Sequence, residues 1–516
     1  MKEKFLLLFR QIIASLVFLA YLVLFLDFTS SIPTPVYNIF LFPQFIPSIL
    51  KFITLLSFGA AGFIFILLLN LLFGRVYCSF LCPLGIFQDL AARMRKRPSK
   101  KKGKYRLFKD FPVLRLSLLF LVLLSVFFVG ALGISMLDPY SIFGRIFSDV
   151  VRPGFIELNN LLASVLQNQD IYFLYHVNLK VLSPLNYIIS GAFLVGIGYL
   201  AYKYGRLYCN SVCPVGTVLG YLNKISVFKI RIDQDKCVAC GLCAYECKAG
   251  CIDFKAKEVD QSRCILCFNC LQVCDYDSIH YTSLPVKNKE VKTGNANPRR
   301  KFLFTLAGVT LGSKIMAQEH ELVSYSATKE ITRKNPVSPP GAESTNRFNK
   351  HCTSCHLCVS ACPTHVLQPS SLEYGLQGFL QPRMDYKSGF CNFDCTLCSE
   401  VCPTGAIAPI DLEKKKLTQL GIAHFVQENC IVETEGTDCG ACAEHCPTKA
   451  VHMVPYGNIR IPEVDEDICV GCGACEYACP TLPFKAIYVE GNPIHLAAKK
   501  PREEKIEKTS TEDFPF

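Results

Sequence analysis

One cysteine spacing constrains this chain more than any other feature. Cys-x2-Cys-x2-Cys-x3-Cys recurs along 516 residues that contain 29 cysteines. A disulfide framework has no reason to repeat that register. A cubane cluster requires it, taking three thiolates from one tight loop and a fourth from the start of a following helix. Zinc ribbons separate two C-x2-C pairs by a longer loop and fit less well. Two groups lie close together: Cys237, Cys240, Cys243, Cys247 and Cys264, Cys267, Cys270, Cys274. Four more follow a long gap. These are Cys352, Cys355, Cys358, Cys362, then Cys391, Cys395, Cys398, Cys402, then Cys430, Cys439, Cys442, Cys446, and last Cys469, Cys472, Cys475, Cys479. Six [4Fe-4S] clusters are therefore expected, with the iron held by these cysteines. Among the last four groups the outermost two keep the regular spacing, while the inner two have stretched first gaps. That pattern suggests nested exchange, first with fourth and second with third. Cys251 is left over and reads as a non-ligand. Cys352-Thr353-Ser354-Cys355-His356 also matches the c-type haem pattern, but a haem there would orphan Cys358 and Cys362.

The remaining sequence divides at about residue 220. Half of the chain is hydrophobic and the mean hydropathy is +0.28, with the apolar residues concentrated in the first two hundred positions. Phe5–Asp27, Phe52–Phe73, Pro112–Leu137 and Leu182–Tyr202 each read as a crossing. The formal charge of +11 comes largely from Arg93–Lys109. A basic run beside apolar helices marks a cytoplasmic loop facing anionic lipid rather than a nucleic-acid site. The loops Phe28–Lys51 and Asp138–Val181 then lie outside. Asp27 and Asp138, at matched outer helix ends, are candidates for proton release to the outer side, although either suits a plain boundary residue.

An internal repeat runs through this half. Gly74-Arg75-Val76-Tyr77-Cys78 continues to Cys82-Pro83-Leu84-Gly85, and Gly205-Arg206-Leu207-Tyr208-Cys209 to Cys213-Pro214-Val215-Gly216. Two such hairpins predict a four-helix bundle. Cys78, Cys82, Cys209 and Cys213 could meet as four thiolates on an extra metal, with copper, iron and a small cluster equally open, or act as redox dithiols.

Between the two cysteine-rich regions stands Asn297–Gln318. Its Arg299-Arg300 pair and short apolar run resemble a twin-arginine export signal at an internal position. Everything after it would be carried across the membrane, and the segment would stay as a short anchor. Glu319–Lys350, with Pro336, Pro339, Pro340 and Gly341, reads as a flexible linker. The end of the chain reads as a charged, disordered tail.

In these motifs residues 1 to about 285 resemble the NapH-type membrane ferredoxins, and about 297 to 490 the NapG/MauM-type exported ferredoxins. The first two cysteine groups look like a bacterial two-cluster ferredoxin. That resemblance implies the sets Cys237, Cys240, Cys243 with Cys274, and Cys264, Cys267, Cys270 with Cys247. Lys248 and Asp275 depart from it by replacing the proline that usually follows the fourth cysteine. The implied fold is a membrane α part (a four-helix bundle) plus α+β ferredoxin-like domains, a multidomain polyferredoxin. Its parts are a membrane domain (1–220), a cytoplasmic ferredoxin (221–285), the signal or anchor (297–318), the linker (319–350), an exported four-cluster ferredoxin (351–490) and the tail (491–516). Such a protein is expected in the bacterial cytoplasmic membrane as an electron-transfer subunit rather than a self-contained enzyme. Electrons would pass from membrane quinol to a periplasmic oxidoreductase or cytochrome, with a cytoplasmic redox partner also compatible. A resemblance to the FixG/CcoG-type proteins supplies the alternative, a copper reductase serving enzyme assembly.

Overall fold

The computed structural model describes residues 2–27, 31–95, 105, 111–178, 183–283 and 328–500. The twin-arginine stretch 297–318 and most of the basic loop lie outside these residues. Helix α1 (Lys2–Leu26) is apolar along nearly its whole length, and at 1.5 Å per residue spans about 37 Å. Helix α10 (Pro184–Tyr204) is the other long apolar helix. Among the described residues two helices are thus long and apolar enough to cross a membrane, or three if α2 (Thr34–Leu41) and α3 (Phe45–Leu55), bent by 110°, count as one span.

The other two expected crossings are broken, so a plain bundle of four continuous helices is not what forms. Phe52–Phe73 divides between the end of α3 and the 12-residue α4 (Gly62–Phe73), because Leu56 closes α3 in the left-handed region (φ 47°). Ser48 supports the break: its hydroxyl donates to Ala60 O (2.7 Å) and accepts from Phe63 N (2.7 Å), so backbone freed by the interruption stays bonded. Pro112–Leu137 divides into α6 (Pro112–Phe128) and α7 (Leu132–Leu137) around Gly130 (φ 75°). Helices α8 (Pro139–Arg145) and α9 (Arg152–Gln167) occupy what reads in sequence as an outer loop.

The repeated motif has a repeated geometry. Gly74 (φ 83°) ends α4 and Gly205 (φ 72°) ends α10, each in a conformation that suits glycine. A short turn carries Tyr and the first cysteine, and then Cys-Pro opens α5 (Pro83–Arg93) or α11 (Pro214–Asn223). Cys82 and Cys213 are the caps of these helices, and proline fits the first helical position because its missing N–H is not needed there.

The first ferredoxin unit pairs Lys229–Ile232 antiparallel with Ile279–Thr282 around the helical turns Leu242–Glu246 and Asn269–Gln272. The second spans 328–500 and contains three antiparallel pairs, the longest joining Thr418–Phe425 to Ile487–Ala497. Residues 328–350 are not a free linker. Val337 to Ala342 are buried, Val337 O accepts from Met384 N (2.9 Å), and Arg333 pairs with Glu476. The prolines hold an extended clasp against the domain rather than a loose tether. Likewise residues 491–497 belong to the last strand, so any tail starts later than expected.

Helix α1 touches both units. It packs against Asn269–Gln272 of the first and Leu357–Ala361 of the second. Arg10 lies close to Cys267, whereas Phe25 and the carbonyl of Cys355 both crowd Gly144. Phe25 is fifteen residues beyond Arg10, about 22 Å along the helix. The two ferredoxins therefore sit at opposite ends of the helical part.

Candidate metal centres

The cysteines converge in sets of four. Cys237, Cys240, Cys243 and Cys274 line one small cavity. Cys264, Cys267, Cys270 and Cys247 line a second, with Cys251 also in its wall. In the second unit, Cys430, Cys439 and Cys442 share a third with Cys479. Cys469, Cys472 and Cys475 stand close to Cys446. Cys402 faces Cys352, Cys355 and Cys358, while Cys362 faces Cys391 and Cys398, with Cys395 beside them.

Exchange therefore runs first with second and third with fourth, not nested. The stretched gaps misled the sequence reading. The extra residues before Cys439 form a short surface helix, Ile431–Glu435, and leave the partner unchanged. Burial pushes several of these thiols upward, Cys442 and Cys472 to about 12. Ligation must therefore displace protons.

The two Cys-x3-Cys-Pro elements meet within the helical part, and all four cysteines are buried there. Each sulfur has a donor. Arg75 Nη2 points at Cys78 Sγ (3.6 Å), Gly85 N at Cys82 Sγ (3.4 Å), and Gly216 N at Cys213 Sγ (3.3 Å). Cys209 Sγ receives Gln88 Nε2 (3.4 Å) and Arg206 Nη1 (3.8 Å). The two arginines cross between repeats: Arg75 donates to Cys209 O (3.3 Å) and Arg206 to Cys78 O (3.0 Å). Gly85 and Gly216 make room for this, since a Cβ at either would strike the opposite arginine and a cysteine carbonyl. A set of N–H donors on four buried sulfurs suits an anionic iron–sulfur group, whose potential such bonds tune. Among the described residues no three His, Cys, Asp or Glu side chains close on a single-ion point, here or in the ferredoxin sets.

Comparison with known proteins agrees in kind. A 4Fe-4S binding domain model matches residues 55–102 and 185–233, which contain Cys78, Cys82, Cys209 and Cys213 and no other cysteine. A 4Fe-4S dicluster model matches 351–406 and 437–482, and a further 4Fe-4S binding domain matches 230–253. The chain is a multidomain [4Fe-4S] polyferredoxin. The polyferredoxin is 34% identical over 93 residues to the uncharacterised protein MJ0749 of Methanocaldococcus jannaschii, covering 16% of this chain and 36% of that one. It is 23% identical over 185 residues to YccM of Escherichia coli, whose name assigns it provisionally to electron transport, covering 35% and 43%. It is 27% identical over 175 residues to the methylamine utilization ferredoxin-type protein MauN of Paracoccus denitrificans, covering 34% and 48%. The chain thus spans less than half the length of each of these relatives. No solved structure matches it.

The polyferredoxin's cysteine sets form one line. Cys243 of the first set stands close to Cys270 of the second. The second set joins the central one through backbone: Ser79 Oγ donates to Leu266 O (3.4 Å) and Asn210 Nδ2 to Ala249 O (3.4 Å). From the centre, Tyr208 OH reaches Leu137 O (2.7 Å), and α8 carries Arg145, which donates to Ser354 O (3.3 Å) beside Cys355. Cys358 stands near Cys398, Cys391 N bonds Cys472 O (2.9 Å), and Cys475 lies near Cys442. The order along the second unit is therefore first, second, fourth, third.

Sequence reasoning missed what binds the first unit to the helices. Asp89 Oδ1 faces Arg206 Nε (2.9 Å) and Lys248 Nζ (3.3 Å), and its other oxygen pairs with Arg10; all four residues are 3% exposed or less. Lys248 thus replaces the expected proline for a reason: its side chain enters the helical part, and its carbonyl accepts from Arg206 N (2.9 Å). Three cations on one buried carboxylate leave positive charge between the second and central sets, where it can balance anionic centres. The readable signal was charge inside apolar segments.

The second unit docks through His356, whose ring bonds Asp149 (2.8 Å) and Leu380 O (2.8 Å). Both ring nitrogens are engaged within the protein. His356→Ala is expected to remove a hydrogen-bond partner from the buried Asp149, leaving it with Ser190 and the nearby Arg145, and to weaken docking of 328–500 by about 2–5 kcal/mol. Limited proteolysis should then release that unit far faster. The proton candidates have other duties: Asp138 caps α8 through Ser141 N and Oγ (both 2.8 Å), and Asp27 accepts from Ser31 N and Ile32 N.

Proposed function

We propose that this polyferredoxin conducts electrons across a membrane, between the ferredoxin unit at 229–283 and the one at 328–500. The observation that carries this reading is the succession of seven four-cysteine sets from one ferredoxin unit to the other, with the central set in the helical part between them. Iron–sulfur clusters supply one-electron transfer when bound at such sets. The protein's own residues space them, keep water away and set the charge around them.

The positive-inside rule puts the first unit in the cytoplasm. Arg93 and Arg95 lie at that end, Arg93 near Arg10 and Lys248, and Arg95 donating to Lys203 O (2.6 Å). The second unit would then face the periplasm, where an oxidoreductase or cytochrome is the acceptor. Membrane quinol is the proposed electron source. The exposed Cys240, between the exposed Val238 and Tyr276, also offers a cytoplasmic redox protein access to the first set.

The test is anaerobic mixing of the purified full-length protein with reduced menaquinol and ubiquinol analogues. Bleaching of the cluster absorbance near the visible charge-transfer band is the expected result. If no quinol analogue bleaches it while a low-potential ferredoxin does, the electron source is cytoplasmic and the quinol assignment fails.

A further inference from the structure

The second cysteine set holds five thiols, not four. Cys251 Sγ lies 3.5 Å from Cys247 Sγ, and both line the cavity shared by Cys264, Cys267 and Cys270. Cys251 also faces Cys264, so it is turned into the set and not away from it. Spacing assigns the fourth ligand to Cys247, which faces Cys267 and Cys270, and Cys251 stands next to it in the same wall against Cys264. The two differ in what stands behind them. Cys247 is followed by Lys248, which is pinned to Asp89 of the helical part. Cys251 is also part of the wall of an open cleft, together with Asp253, Glu258, Asp260 and Arg263.

We propose that Cys251 is an alternative fourth ligand of this centre, exchanging with Cys247. The exchange is balanced without any oxidant. The Cys251 thiol passes its proton to the departing Cys247 thiolate, one iron–sulfur bond forms as the other breaks, and the cluster keeps its charge and redox state. A centre with two such ligands keeps its iron when either thiol is lost. It also moves its point of attachment between the turn anchored in the helices and the wall of the cleft.

This inference rests on the reading of the set as a [4Fe-4S] site, and the experiment separates the two. Full-length Cys247→Ala, Cys251→Ala, the double variant and Cys264→Ala are purified anaerobically, and iron per chain is measured beside the low-temperature EPR spectrum after reduction. Both single variants should keep the wild-type iron content with altered EPR signals from one centre. The double variant and Cys264→Ala should each lose about four irons. The signals of the remaining centres report folding, and Cys247→Ser repeats the test if Cys247→Ala does not accumulate. Loss of the centre in Cys247→Ala or Cys247→Ser alone overturns the proposal, as does loss in Cys251→Ala alone or retention in the double variant. If Cys264→Ala loses no iron, the cluster reading itself fails.

Discussion

Cys209→Ser is expected to stop electron passage between the two ferredoxin units while leaving each of them redox-active. The distance argument is direct. Arg10, near Cys267, and Phe25, beside the Cys355 carbonyl, are about 22 Å apart along α1. A gap of that size, if empty of intermediates, is too wide for tunnelling at a useful rate. The set of Cys78, Cys82, Cys209 and Cys213 lies between those points and is bonded by backbone to the first unit. Serine keeps the branching of Cys209 in a slightly smaller group and gives a poorer ligand, and Gln88 and Arg206 lose the sulfur they donate to. In proteoliposomes with dithionite confined to one face, wild-type protein should bleach throughout. The variant should bleach only the unit on that face, with its ferredoxin iron retained. Full bleaching at the wild-type rate would show that the central cysteines carry no current.

The second large effect is expected at Asp89. Asp89→Ala leaves Arg10, Arg206 and Lys248 buried around an empty carboxylate position. Removing one partner of a buried charge network typically costs about 3–5 kcal/mol, because the remaining charges keep their desolvation penalty. The first ferredoxin should loosen from the helices, seen as a lower unfolding temperature in detergent and new protease cuts between Asn223 and Lys229. Asp89→Ala with Lys248→Met should recover part of the loss, since it removes one of the stranded cations and keeps the length of the side chain. A double variant no more stable than Asp89→Ala would mean that Lys248 gains nothing from this carboxylate.

Much of this protein was legible in one dimension. Thiolate spacing is a local property, so the ferredoxin sets follow from loops of fixed length. The Gly-Arg-x-Tyr-Cys and Cys-Pro-x-Gly repeats likewise announce helix ends and caps, and the structure explains their glycines by crossing arginines at Gly85 and Gly216. Where the sequence reading failed, the cause was long-range. Gap length between cysteines says nothing about which group supplies the fourth thiolate, since an insertion such as Ile431–Glu435 can bulge outward. Hydropathy ran through Leu56 and Gly130, where backbone conformation interrupts the helices. Proline-rich 328–342 looked like a tether because its partners, Met384 and Glu476 among them, come much later in the chain.

The sequence by itself determined the chemistry: which thiols can hold iron, in what groups, and which stretches prefer lipid to water. Only the tertiary structure decided the wiring. The central set and the pinning of Lys248 to Asp89 and of His356 to Asp149 join residues from 127 to 207 positions apart, and the pairing between cysteine groups crosses from one loop to another. Contacts at such separation depend on how buried charges and helix ends are satisfied in three dimensions, which no local pattern encodes.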